Sequence, residues 1–271
     1  MPPDWTPTHS MTNEAYHLYP AVSRSALTHL LRSPKHYWEV AINPNRVPRE
    51  GTPAMQFGTA VHMAILQPSL FVTEYALAPS IARTTKAGKE AWAFAAEGGK
   101  QLLTTAEWDS IKGIKASILS HPAASSSLLT AGRNECTFIA KDPATGLDLK
   151  CRPDRITDSG WVIDLKTTQD ASVTEFTRSI HKFGYHIQAA FYLHTIELAT
   201  GQRPLGFIFM AAEKTAPYAV QMLRLGGASI QFGTGIIQTQ LARLAECIAT
   251  DTWPAYEDSV VDVELPGWAL K

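Results

Sequence analysis

Cysteine is scarce in this chain, and the three present, Cys136, Cys151 and Cys247, are odd in number and far apart. That pattern argues against a disulfide scaffold and points to a reducing cytoplasm. With no C-x-x-C pair, a zinc ribbon or a cysteine-held iron–sulfur cluster is also disfavoured. No uncharged apolar run reaches 18 residues. The nearest, 225–242, is broken by Gly, Gln, Ser and Thr, so no membrane-spanning helix is expected. The opening MPPDWTPTHS lacks a charged region followed by an apolar stretch, which excludes a secretory signal from the expectation. GGASIQFGTG (226–235) lacks the Lys-Ser/Thr of a phosphate-binding loop, and no Ser or Cys nucleophile with a paired His stands out.

What is present is apolar and aromatic. Of 271 residues 45% are hydrophobic, with seven Trp, ten Phe and eight Tyr, too many anchors for a solvated coil. The length suits one large domain or two small ones, burying about 70–75% of the unfolded surface. Net charge is only −1, but it is unevenly spread. Residues 251–271 hold Asp251, Glu257, Asp258, Asp262 and Glu264 against Lys271 alone, a net of −4, which leaves +3 on the first 250. A mild basic excess neither requires nor excludes a nucleic-acid partner, because binding depends on local surface.

The periodicity predicts a loose arm over 1–22 and a single domain over 23–271. SRSALTHLLRSPKHYWEVAI (23–42) reads as helix, with Leu27, Leu30 and Leu31 on one face, Ser23 or Ser25 as N-cap, and a break or restart at Pro34. After a loop at 43–53, MQFGTAVHMAILQP (55–68) reads as a helix with Phe57, Val61 and Ile65 inward and Pro68 as its stop. Residues 83–119 read as an exposed helical region interrupted at Gly98-Gly99, and 121–132 as a short helix. ECTFIAKD (135–142), DLKCRPDRIT (148–157) and GWVIDLKT (160–167) then predict a three-strand antiparallel meander. A helix over 176–201, strands at 206–214 and 218–225, and a closing helix at 228–249 complete an α/β or mixed α+β pattern.

The chemistry concentrates in CRPDRITDSGWVIDLKTT (151–168). Side chains two apart on a strand share a face, so Asp164 and Lys166 point together while Leu165 points into the core. A hairpin at Asp158–Gly160 brings Asp154 alongside Asp164. Paired carboxylates that keep several waters suit Mg²⁺, and an adjacent lysine can orient water or stabilise charge. An isolated Asp-x-Lys can also be a surface ion pair, but Trp161, Val162, Ile163 and Leu165 make this a buried strand, where charge without function is costly.

Pro153-Asp154 followed by Asp164-Leu165-Lys166 resembles the PD-(D/E)XK nuclease signature. The wider set SRSALTHLLRSPKHYW (23–38), FGTAVHMAILQP (57–68), HPAA (121–124), ECTF (135–138), GLDLKCRPDRI (146–156), DLKTTQDAS (164–172), YHIQAAFYLH (185–194) and LPGWA (265–269) resembles, in order, the RecE-like (exonuclease VIII) nuclease domains of prophage type. The resemblance covers about residues 10–269. It implies a central mixed sheet with an antiparallel meander flanked by helices, Asp154 and Asp164 as metal ligands, and Lys166 as the catalytic lysine. His62 would complete the metal site, with Mg²⁺ the expected ion and Mn²⁺ an alternative that tolerates imidazole better. Gln188 and Tyr192, a Q-x-x-x-Y pair on one helix face, would hold the DNA strand or brace the ligands.

The resemblance further implies a 5′ to 3′ exodeoxyribonuclease on linear duplex DNA, a RecT-type annealing partner and a tetrameric ring. A PD-(D/E)XK endonuclease or RecB-like accessory nuclease, and a silent DNA-end-binding module, are the other readings. Thr167 and Thr168 are candidate phosphate donors or plain β-formers, and Glu135 a second-metal ligand or a solvent-facing strand-end acid. Arg24, Arg32, Lys35, His36, Arg46 and Arg49, interleaved with Tyr37 and Trp38, could follow a DNA backbone or form a solvated helix face.

Overall fold

The computed structural model describes residues 5–9, 11–47 and 51–267. In chain order the elements are α1 (Asn13–Leu18), β1 (Val22–Ser23), α2 (Arg24–Leu30), α3 (Pro34–Ala41), α4 (Pro53–Leu66), α5 (Pro68–Glu74), β2 (Tyr75–Leu77) and α6 (Lys86–Ala95). There follow β3 (Gln101–Leu103), α7 (Thr105–Ser120), α8 (Pro122–Leu129), β4 (Gly132–Asn134), β5 (Phe138–Lys141), β6 (Asp148–Cys151), β7 (Arg155–Thr157) and β8 (Trp161–Thr168). The chain ends with α9 (Val173–Lys182), α10 (Tyr185–Thr200), β9 (Gly206–Glu213), β10 (Val220–Arg224) and α11 (Gly227–Thr250). Among the described residues no helix is long and apolar enough to cross a membrane.

The main sheet has the order β10-β9-β8-β7-β4, with β8 at its centre. β8 runs parallel to β9 from Trp161↔Gly206 to Thr168↔Glu213, and α9 and α10 supply the crossover that a parallel pair needs. Both faces of β8 are covered, and alternation sorts its side chains. Val162 packs with Phe207, Phe209 and α10, whereas Ile163 and Leu165 pack with Met210, α4 and α7. Asp164 and Lys166 therefore lie on the α10 side. Gly184, at φ 63°, separates α9 from α10, and Gly201, at φ 69°, ends α10, as its place in the sequence predicts.

Four expectations change. The single meander is split: β5 and β6 pair in a small sheet with β1, while β7 and β8 pair in the main sheet. The break falls at Arg152-Pro153-Asp154, where proline has no N–H to continue a ladder. In the helical region Leu31 is 41% exposed, and Pro68 opens α5 at its first position instead of only stopping α4. Within the expected loose arm, described residues are docked. Trp5 is 1% exposed and donates from Nε1 to Asp158 O at 3.1 Å. Arg152 donates from Nη2 to Met11 O at 3.0 Å, and Lys150 Nζ to Tyr16 O at 2.6 Å and Tyr19 O at 2.7 Å. Trp5→Ala should cost about 3–5 kcal/mol, as truncating a buried aromatic does. Thermal denaturation checks this, and an unchanged Tm would return the segment to a passive role.

Candidate active site

Asp154 follows the proline break and faces β8. The β7–β8 register, Arg155↔Ile163, sets Asp154 opposite Asp164 at its next step, and Asp154 Oδ2 accepts the Leu165 N–H at 2.7 Å. Asp164 is 1% exposed; its Oδ1 accepts from Gln188 Nε2 at 2.7 Å, and its Oδ2 is in ion contact with Lys166 Nζ. Gln188 and Lys166 thus take one oxygen each of the Asp164 carboxylate. Lys166 Nζ also lies 4.9 Å from the centre of the Tyr185 ring.

His62 comes from α4, which the sequence starts at the Thr52 cap and lays against β8, where Gly58 approaches Thr167. Asn134 Nδ2 donates to Leu66 O at 2.7 Å and so ties the end of that helix to β4. One turn before His62, Gly58 O accepts from Nδ1 at 2.8 Å, which aims Nε2 inward to Asp154 Oδ2 at 3.0 Å. Glu135 is drawn in as well. Its backbone is left-handed, at φ 52°, and its N–H donates to Asp154 O at 3.0 Å. It is half-buried beside the carboxylates, not a solvent-facing strand-end acid.

The electrostatics follow from this crowding. Burial, then the Asp154 charge, pushes the Glu135 carboxyl up to about 7. Burial raises Asp164 too, although Lys166 opposes it. Burial alone would raise Asp154, but the charge and hydrogen bond of His62 carry it below its ordinary value. Burial alone would depress His62, yet Asp154 lifts it to about 9. The Lys166 ammonium is likewise held above the usual lysine range by Asp164 and Asp154, against its burial.

The structure thus brings together Asp154, Asp164, Lys166, His62 and Gln188. Tyr192 is near enough for Asp164 and Asp154 to add to the burial that holds its hydroxyl protonated. Thr167 lies on the α4 side of β8. Arg24 bonds the Gly184 carbonyl at 2.7 Å and senses the Asp164 charge. Lys35 is exposed on α3, with its backbone N–H on Pro254 O, and has no contact with this group among the described residues. Arg32 and Arg46 serve Tyr256 and the end of α3, and Arg49 lies outside the described residues. Sequence reasoning missed Tyr185, three residues before Gln188 on the same helix face, and Tyr16, which stacks 4.4 Å under Arg152.

Among the described residues no three His, Cys, Asp or Glu side chains stand ready as a metal cage. The donor chemistry nevertheless fits a hard divalent ion. Mg²⁺ needs only one or two carboxylates and keeps its waters. Here Asp154 and Asp164 face each other across the β7–β8 register, Glu135 is near enough to feel the Asp154 charge, and Lys166 and His62 supply the cationic partners. Asp154 and Asp164 would hold such an ion, with Glu135 or His62 joining as protons leave.

Compared with known proteins, residues 23–261 match a family described as "PDDEXK-like domain of unknown function (DUF3799)". A crystal structure of a "Putative exonuclease" from Eubacterium rectale shares 15% identity with a TM-score of 0.65, over 97% of this chain and 98% of its own. At that identity the likeness is one of fold, and it agrees with the expected α/β core. A structure described as SSO0001 shares 12% identity over 90% of this chain and 80% of its own, with a TM-score of 0.32 that equates nothing. No curated protein matches in sequence.

Proposed function

The chain belongs to the PDDEXK-like family matched over residues 23–261, and from that premise we propose that it is a divalent-metal-dependent nuclease. More narrowly, we read it as an exodeoxyribonuclease that degrades one strand of linear duplex DNA from its 5′ end. The observation that carries the reading is the sheltered set of Asp154, at the entry to β7, with Asp164 and Lys166 on β8, braced by His62 and Gln188. A solvated surface pair has no need of such bracing, and a silent end-binding module has no need of the intact set.

When bound, the ion, Mg²⁺ or Mn²⁺, supplies a Lewis acid that neutralises a phosphate oxygen and acidifies a water. The chain's own groups do the rest. Gln188 fixes the Asp164 rotamer, and the Leu165 N–H fixes Asp154, so both carboxylates are pre-organised. Lys166 stays an ammonium near neutral pH; it acts as a fixed cation toward charge developing on the phosphate and is no base. Tyr185 and Asp164 hold it in place. The proposal includes a cytoplasmic setting, a RecT-type annealing protein that takes the 3′ single strand, and a tetrameric ring that encloses the duplex.

The test is incubation with Mg²⁺ or Mn²⁺ on linear duplexes labelled at the 5′ or 3′ end, with closed circles alongside. Mononucleotides from 5′ ends and intact circles are expected; nicked or linearised circles would favour an endonuclease. Lys166→Ala should lower turnover by about 10²–10³-fold, as loss of one transition-state donor does. Its affinity for DNA ends in Ca²⁺ should stay within a few-fold. Equal losses in both would make Lys166 a phosphate-binding residue instead.

A further inference from the structure

A groove of about 1010 Å³ opens between α2, the α9–α10 corner and α11, and the chemistry above leaves it unused. Its lining carries Arg24, His181, Lys182 and His186, with no Asp or Glu. Aromatic rings run along it. His181 and His186 stack with centroids 6.3 Å and planes 4° apart, and His186 continues to Phe232 at 5.7 Å and 20°. Phe232 ends this column 64% exposed, and Phe183, also in the lining, is 50% exposed. Two buried polar atoms of the lining, Arg24 Nε and Gln240 Oε1, have no hydrogen-bond partner.

One wall of the groove adjoins the active centre. Phe183 packs against Tyr185 at 5.5 Å, and Tyr185 carries the Lys166 ammonium on its ring. Arg24 spans the same corner, bonding Gly184 O while responding to the Asp164 charge. A surface of exposed ring faces, cations and no acids complements a polyanion whose bases are free to stack. Duplex DNA keeps its base faces covered, so the complementarity is to a single strand.

We propose that this groove holds a single-stranded stretch of DNA adjoining the scissile end, with bases stacked on Phe183 and Phe232. Arg24 and Lys182 draw its phosphates. The inference rests on the nuclease reading and adds to it the place where the unpaired strand lies. Stacking of this kind tolerates any base, and affinity should fall steeply with salt.

The experiment is fluorescence anisotropy of labelled oligo-dT and of a duplex of equal length, on the full chain in Ca²⁺. Phe183→Ala and Phe232→Ala should each weaken oligo-dT binding by about tenfold, the scale of one lost stacking contact. Phe232→Trp should keep it, and duplex affinity should change little. Both phenylalanines are exposed, so unaltered melting curves should accompany the loss. Wild-type affinity for oligo-dT in both alanine variants, or no binding by the wild type, overturns the inference. So does a drop in oligomeric state by Phe232→Ala with binding intact, which would assign the groove to a second copy. Metal-dependent hydrolysis by the wild type is measured in parallel. Hydrolysis with insensitive binding sinks the groove alone; sensitive binding without hydrolysis sinks the nuclease reading alone.

Discussion

Asp164→Ala and Asp154→Ala should each reduce hydrolysis to background, and both should also lower the stability of the metal-free protein. Loss of activity follows because each carboxylate is a proposed ligand that a neighbouring backbone or amide group holds rigid. The stability effect has the opposite sign to the one that two mutually repelling carboxylates suggest. In the structure each is matched by a cation, Asp164 by Lys166 and Asp154 by His62. Truncating Asp164 leaves the ammonium, in a side chain only 17% exposed, without its partner, and leaves Gln188 without an acceptor. Removing one member of a buried pair costs about 3–5 kcal/mol, a Tm decrease on the order of 10 °C in a chain of this size. Calorimetry in EDTA and nuclease assays in Mn²⁺ read the two effects separately. Near-wild-type cleavage by either variant would sink the site, whereas a higher Tm for Asp164→Ala would mean that carboxylate repulsion outweighs the pairing.

The parts of this centre that were legible in the sequence are the local ones. Asp164 and Lys166 share a face because strands alternate, and β8 was evident from its run of Trp161, Val162, Ile163 and Leu165. The hairpin at 158–160 fixed the approach of Asp154, since the turn sets the register. Contacts between distant segments were not legible. Trp5 has no periodic neighbours, and its acceptor lies at Asp158, so nothing local marks it as core. Glu135 adopts a left-handed backbone that no Gly or Asn announces, and only that bend turns it towards Asp154. Residues 148–157 read as one strand through Pro153; that the break there sends β6 and β7 into different sheets depends on β1 pairing with β6, a contact between distant segments. His62 entered through family resemblance; what the structure adds is its neighbour, which changes its titration.

Metal-free protein should lose stability as pH rises from about 5 to 9, and bound metal should reverse that trend. The sign follows from the direction of each shift. Glu135, raised from its ordinary value to about 7, contributes fully at acid pH and loses that contribution as pH rises through 7. His62, raised to about 9, does the same between its unfolded value near 6.5 and 9. Asp154 is lowered, so its contribution is lost only at acid pH, below this window. A metal ion must displace these protons, so the increase in Tm caused by Mn²⁺ should grow across the same range. Because Asp154 lifts the imidazole, the dependence lies above neutrality, higher than a free histidine would place it. His62→Gln should erase the metal-free slope between pH 6.5 and 9 while keeping the Glu135 part below 7. If His62 is a ligand, that variant should also need more Mn²⁺ for the same thermal shift. Scanning calorimetry in EDTA and in Mn²⁺ at a series of pH values tests both halves. A flat metal-free profile above pH 6.5 would remove the His62–Asp154 pairing, and metal curves identical in wild type and His62→Gln would leave His62 as a brace for Asp154 alone.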